Sequence, residues 1–292
     1  MRTSLISLLV GAALAAAPHA AAEELHAFAD SSRLVAIGGS LTEIVYALGE
    51  EGRLVGRDQT ATYPEAAAAL PDVGYARQLA PEGVLSVSPT ALLVLEGSGP
   101  PEALEVLSQA GVEYQTVPES YSAEGVIAKI NAVGEALGIE EKAEAYAAEV
   151  QAQFAALAGG TASIEEPKRV LFVLSAEGGK IQASGTDTAA DGMIALAGAE
   201  NAITDYSGYK ALTEEAIISA APDAIVMMDR GGDHAATDAE LLAHPAIALT
   251  PVAENKAIYR LDGSYLLGFG PRTAAAATEL AGLLYGEHAQ AE

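Results

Sequence analysis

The chain has 292 residues, half of them hydrophobic and 19% charged, a globular composition rather than that of a disordered or solvating protein. Its 15 Lys and Arg against 40 Asp and Glu give a formal charge of −25, which excludes nucleic-acid and anionic-membrane partners that need a basic surface. Cysteine is absent, which removes disulfides, thiol catalysis and thiolate metal sites; with 11 Tyr against 4 Phe and no Trp, functional aromatics are expected to be tyrosines.

Met1-Arg2 precedes an apolar run from Ser4 to Ala17, then Ala20-Ala21-Ala22 before Glu23-Glu24. The run is too short for a comfortable membrane span, so residues 1–22 are expected to be a signal peptide cleaved near Ala22, leaving an exported, soluble chain. Next, Arg33–Ile37 predicts a strand ending at Gly38-Gly39, Ser40–Gly49 a helix and Arg53–Arg57 a second strand. That order is a βαβ unit, which argues for a parallel sheet. Pro89–Gly97 predicts a third strand, Leu104–Ala110 a helix and Tyr114–Val117 a fourth strand, giving an N-terminal lobe over 23–121. Residues 122–158 carry apolar positions at helical spacing, interrupted at Gly125, Gly134 and Gly138. They predict a long helix joining two lobes, with a break near Gly138. A loop is expected from Gly159 to Pro167, after which Arg169–Ser175 and a helix around Ala189–Ala197 restart the pattern in a C-terminal lobe over 159–292. Ser88-Pro-Thr-Ala-Leu-Leu-Val-Leu-Glu-Gly97 echoes Ala221-Pro-Asp-Ala-Ile-Val-Met-Met-Asp-Arg230, which points to duplication of one unit. The expected fold is therefore α/β, two lobes with parallel-type sheets joined by a long inter-lobe helix. Its ligand cleft would lie between the lobes, where the C-terminal ends of the strands face each other.

Catalysis has no foothold. The sequence has no Gly-x-Ser-x-Gly elbow, no phosphate loop and no dinucleotide fingerprint, and His234 and His244 stand ten apart without zinc-site pairing. Cations are scarce, so those at predicted strand ends and turns are informative: Arg57, Arg77, Arg230 and Arg272. Either they form surface ion pairs with the many acids, or some converge on the cleft to hold a small anionic ligand, since guanidinium takes carboxylates bidentately. Tyr75 stands on a turn in Leu70-Pro-Asp-Val-Gly-Tyr-Ala-Arg77. It is either a packing residue or a ligand, and the nearby Arg would favour a phenolate, a hard oxygen donor for ferric iron.

Three segments carry a family likeness: Arg33-Leu-Val-Ala-Ile-Gly-Gly-Ser-Leu-Thr-Glu-Ile-Val-Tyr-Ala-Leu-Gly49, Val55-Gly-Arg-Asp-Gln-Thr60, and the turn ending Gly74-Tyr-Ala-Arg77. Together they closely resemble the periplasmic haem-binding proteins of bacterial haem-uptake ABC transporters. The likeness continues through Lys129-Ile-Asn-Ala-Val133, Gly185-Thr-Asp-Thr-Ala-Ala-Asp191 and Leu266-Leu-Gly-Phe-Gly270, and so covers nearly the whole chain after residue 22. The resemblance implies a periplasmic, non-enzymatic carrier of haem b that serves an inner-membrane ABC permease dimer with its ATPase. A cobalamin or ferric-siderophore carrier on the same fold is the alternative, and an exported enzyme the remote one. The resemblance further implies that Tyr75 is the axial ligand to haem iron, with Arg77 beside it, Arg230 reaching the haem or the Tyr, and Arg57 and Arg272 as further partners. Some members carry a His after the Ser of the second-lobe strand; here the run is Ser175-Ala-Glu177, so no His-assisted or two-haem arrangement of that kind is implied. Glu43 and Glu215 are expected to dock the two lobes onto the permease, with Glu214 as the rival for Glu215. Their local alternative is helix-start chemistry: Ser40-Leu-Thr-Glu43 fits a capping box, and Glu215 suits the first turn after Thr213.

Overall fold

The computed structural model describes residues 25–229 and 236–286, so the expected signal segment and Arg230 lie outside the described residues. The N-terminal lobe runs β1 (Leu34–Ile37), α1 (Gly39–Ala47), β2 (Leu54–Arg57), α2 (Pro81–Leu85), β3 (Ala91–Leu95), α3 (Pro101–Gln109) and β4 (Glu113–Val117). Two helices follow, α4 (Ala123–Leu137) and α5 (Glu140–Thr161). The C-terminal lobe contains β5 (Arg169–Glu177), β6 (Lys180–Ser184), α6 (Ala189–Leu196), β7 (Glu200–Asn201), β8 (Tyr209–Ala211), α7 (Glu214–Ala220) and β9 (Ala224–Asp229). It continues with α8 (Asp238–Leu242), α9 (Pro251–Asn255), β10 (Ile258–Asp262), α10 (Gly263–Leu267) and α11 (Thr273–Tyr285).

The first sheet has the order β2-β1-β3-β4, all parallel. The second contains the same core as β7-β5-β9-β10, again parallel, and adds β6 and β8 in antiparallel pairing. The sequence echo is thus a structural one, because β3 and β9 are both central strands. Each follows a short helix whose last link is a non-glycine residue of positive φ, Ser88 (48°) or Ala221 (42°), placed before a proline. Strands buried on both faces carry continuous apolar runs, as parallel sheets require. In β1, Leu34 and Ala36 enter the core shared by the two lobes, whereas Val35 and Ile37 enter the outer core of the first lobe. The shared core runs through α4, α5, α6 and α11 and unites the lobes.

The joining segment is two helices. Gly138 closes α4 in the left-handed conformation (φ 67°), and α5 packs back along α4. Gly134 makes that return possible, since a Cβ there would lie 2.1 Å from the Cβ of Ala143. The loop expected from Gly159 begins three residues later, because α5 runs through Thr161. Gly160 is buried, and Thr161 lies against Gly198, whose added Cβ would come within 2.9 Å of it, so packing carries the helix past two glycines.

Candidate functional site

Tyr75 owes its position to a loop fastened at both ends. Beyond β2, Val73 N–H donates to Arg57 O (2.9 Å) and Arg57 N–H to Pro71 O (3.0 Å), so the chain doubles back as a parallel bridge. Gly74 turns at φ 113°, its N–H donates to Asp72 Oδ1 (2.8 Å), and its carbonyl accepts from Gln59 N–H (2.9 Å). On the far side, Gly99 N–H donates to Ala76 O and Leu79 N–H to Gly99 O, both at 2.9 Å. Val73, Ala76 and Leu79 are buried in the outer core of the first lobe, which leaves Tyr75 to project outward with 38% of its surface exposed. Among the described residues, none is hydrogen-bonded to its hydroxyl.

Arg77 sits in the single 3-10 turn after Tyr75 and is exposed. Its charge acts on two tyrosines of other elements, Tyr121 before α4 and Tyr209 on β8 of the second lobe. Burial raises the hydroxyl pKa of both above the ordinary tyrosine value, and Arg77 opposes the rise in each. For Tyr209 the neighbouring Thr188 and Ser184 side chains and the Ala190 amide oppose it too. Tyr209 is 37% exposed and packs edge-on to Phe172 with centroids 6.4 Å apart, while Tyr121 packs edge-on to Phe269 at 5.3 Å. Arg77, two residues from Tyr75 on the first lobe, therefore lies within reach of Tyr209 on the second, and Tyr121, backed by the fully buried Phe269, lies near both. Gly208-Tyr209 repeats Gly74-Tyr75, including a positive-φ glycine (81° and 113°) with open space where a Cβ would go.

Among the described residues, no group of three or more His, Cys, Asp or Glu is placed to hold a metal ion. An iron held here would depend on an oxygen such as that of Tyr75 and on ligands of its own. Two other hollows lie away from Tyr75. One of about 730 Å³ runs between α5 and α11 past Ala156, Ala275 and Leu283; one of about 370 Å³ lies behind Tyr121 between α4, α5 and α6. Both are predominantly lined by small and apolar side chains, and neither includes a candidate arginine.

The remaining candidates divide. Arg57 stands at the base of the Tyr75 loop, half-buried, with Nη1 donating to Asp58 O (3.1 Å) and a buried Nε that has no partner. Arg272 is committed elsewhere: Nε and Nη2 donate to Glu43 Oε2 and Oε1 at 2.9 and 2.6 Å, and its guanidinium lies 3.8 Å over the Tyr63 ring. This corrects two expectations, because an arginine held bidentately is not an open anion receptor and Glu43, only 7% exposed, is not a surface acid. Burial raises the Glu43 pKa above the usual glutamate value, against the pull of Arg272. The capping box is also absent. Gly38 is the N-cap, without a side-chain cap, and Ser40 already lies inside the helix. Buried Asp58 ties this start to the neighbouring strand by accepting from Gly38 N–H (3.0 Å).

Glu215 is exposed in the first turn of α7, where Thr213 caps the helix by accepting from Ala216 N–H (3.2 Å). Hydrogen bonds from its own backbone N–H and from Thr213 hold its carboxyl below the usual value. Its counterpart in the other lobe is Glu82, which the sequence reading missed. Aligning the positive-φ residues Ser88 and Ala221 sets Glu82 opposite Glu215, buried Val84 opposite buried Ile217, and exposed Leu85 (36%) opposite exposed Ile218 (39%). Glu214, the rival acid, falls opposite Pro81. The signal was in the echo, which extends N-terminally from the quoted ten residues into these two short helices.

Known proteins share this fold. BhuT, a periplasmic heme-binding protein solved in complex with two hemes, is 39% identical, with a TM-score of 0.83 over 88% of this chain and 98% of its own. RhuT, a periplasmic heme-binding protein from Roseiflexus sp. RS-1 solved in apo form, is also 39% identical with a TM-score of 0.83, covering 89% of this chain and all of its own. YvrC of Bacillus subtilis (strain 168), an uncharacterized ABC transporter substrate-binding lipoprotein, is 29% identical over 260 residues, 88% of this chain and 81% of that protein. The family described as periplasmic binding protein matches residues 34–265, which takes in both sheets, the joining helices and the whole Tyr75 loop. With two parallel-sheet lobes and that match, the chain belongs to the periplasmic binding protein family.

Proposed function

We propose that this protein captures haem b in the inter-lobe cleft and delivers it to an ABC permease dimer driven by its ATPase. The family and the curated relative are substrate-binding proteins, which supports a binding role outside the cytoplasm over an enzymatic one. The observation that carries the haem reading is Tyr75. A fastened loop holds its ring exposed, with its hydroxyl free of any described partner and Arg77 two residues on. The heme-binding names of relatives at 39% identity support the same ligand. A Tyr phenolate is a proximal ligand that haem iron accepts, and the neighbouring aromatic rings suit a large apolar macrocycle oriented by few polar contacts. Arg77 would pair with a propionate or hold the phenolate charge, and Arg57 and Arg230 are further cations for the same anions. Glu82 and Glu215 would meet basic residues on the two permease subunits.

Hemin titration followed by visible absorption tests the reading. Wild type is expected to give a shifted Soret band and a tyrosinate charge-transfer band, whereas cobalamin and ferric siderophores give neither. Tyr75→Phe keeps the ring and removes the oxygen, so it should bind hemin at least roughly tenfold more weakly and lose the charge-transfer band. An unchanged spectrum in Tyr75→Phe would remove Tyr75 as the iron ligand.

A further inference from the structure

Beneath the cleft the lobes meet at polar contacts that haem capture, as proposed above, does not use. Lys129 on α4 is fully buried, with a side-chain exposure of 0%. Its Nζ donates to Glu119 Oε1 at 2.7 Å, to the carbonyl of Phe269 at 2.9 Å and to Ser40 Oγ at 3.4 Å. Glu119 and Ser40 belong to the first lobe, and Phe269 belongs to the second. Phe269 adopts φ 46°, unusual for an aromatic residue, and its ring packs on Tyr121. One residue on, Gly270 lies so close to α1 that a Cβ would come within 3.3 Å of Ser40 Cα. Two residues further, Arg272 grips Glu43 of the first lobe and is covered by Tyr63 of that lobe and Tyr265 of its own.

The segment 269–272 is therefore held at two points, Phe269 by Lys129 of the joining helix α4 and Arg272 by Glu43 of the first lobe. The apolar contact of α11 with α4 and α5 does not fix direction, whereas charge-assisted bonds to a carbonyl and a bidentate carboxylate do. Buried ion pairs of this kind add little net stability over an apolar replacement of the same shape. We propose that Lys129 and Arg272 are positioning residues, a two-point clasp that sets the angle between the lobes and so the width of the cleft. Lys129 holds the segment through the Phe269 carbonyl, and Arg272 prevents rotation about that point. The angle claim stands without any ligand; only its consequence for hemin rests on the haem reading.

The absence of cysteine makes a clean test possible. Ser86 and Ser219 are exposed, equivalent positions at the ends of α2 and α7. With both changed to Cys and spin-labelled, double electron–electron resonance reads the inter-lobe distance in the ligand-free protein. A single narrow distribution is expected for the parent, and a broadened or shifted one for Lys129→Met and for Arg272→Met. Lys129→Met leaves the Glu119 carboxylate without its cation, so its melting midpoint should fall, and the distance distribution decides. In both variants hemin should dissociate roughly tenfold faster with the charge-transfer band retained, since Tyr75 is intact. Should Lys129→Met not fold, Arg272→Met and Glu119→Gln (which keeps an acceptor for Lys129 and should stay narrow) still decide. Unaltered distributions in folded Lys129→Met and Arg272→Met, or a lower melting midpoint with an unaltered distribution, overturn the clasp. Broadened distributions in a protein that takes no hemin leave the clasp standing and remove the haem reading.

Discussion

Arg77 and Arg272 show why position in the chain does not decide what an arginine does. Both stand close to tyrosines, yet Arg272 is enclosed by Glu43 and two rings, whereas Arg77 is exposed and its charge reaches Tyr121 and Tyr209. An uncommitted guanidinium at the cleft is the one that an anionic ligand can recruit. Arg77→Ala is therefore expected to weaken hemin binding roughly tenfold, the low end for a lost charge-assisted bond because the site is open to water. The loss should shrink at high salt. Melting of the ligand-free protein should hardly move, and a matching fall in melting temperature without loss of affinity would make Arg77 a fold residue. Tyr75 and Arg77 stood out in the sequence because a turn motif surrounds them. The Glu43–Arg272 pair did not, because its members are 229 positions apart and only the packing of α1 on the 269–272 segment brings them together.

At the scale of elements, β1–β5, β9 and most longer helices were legible because parallel strands buried on both faces write unbroken apolar runs, which the two-residue β7 and the half-buried β10 do not. The short antiparallel addition of β6 and β8 was not, since three to five residues with mixed polarity carry no periodic signal. Nor was α2, only five residues long, whereas Thr213 and Glu215 marked the start of α7. Glycines in the joining segment were legible as interruptions but not in their roles, which differ. Gly134 lies where the two helices touch, so Gly134→Ala forces its new Cβ against Ala143 and should destabilise by about 1–3 kcal/mol. Gly159 lies in exposed helix with open space around it, so Gly159→Ala should stabilise by up to about 1 kcal/mol through helix propensity alone. Thermal melts of the two single variants check this, and shifts of the same sign would contradict the helix-pair packing described.

For the whole molecule, the duplication matters more than either lobe alone. A carrier with two equivalent lobes presents equivalent surfaces, and a permease dimer offers two equivalent subunits to receive them. Glu82 with Leu85 on α2, and Glu215 with Ile218 on α7, are the equivalent exposed pairs, and the acids lie outside both the cleft and the inter-lobe clasp. The strongly negative chain makes a basic acceptor surface the natural complement. Glu82→Ala and Glu215→Ala should each slow delivery of haem to a reconstituted transporter by roughly tenfold, and the double variant should abolish it. Hemin affinity and spectrum should remain those of wild type in all three, because no wall of the cleft changes. Glu43→Ala provides the contrast: it removes the partner of Arg272 inside the molecule, so it should lower the melting temperature and disturb the lobe angle. Transport that survives the double change at Glu82 and Glu215 would make these acids ordinary helix-start residues and leave docking to another surface.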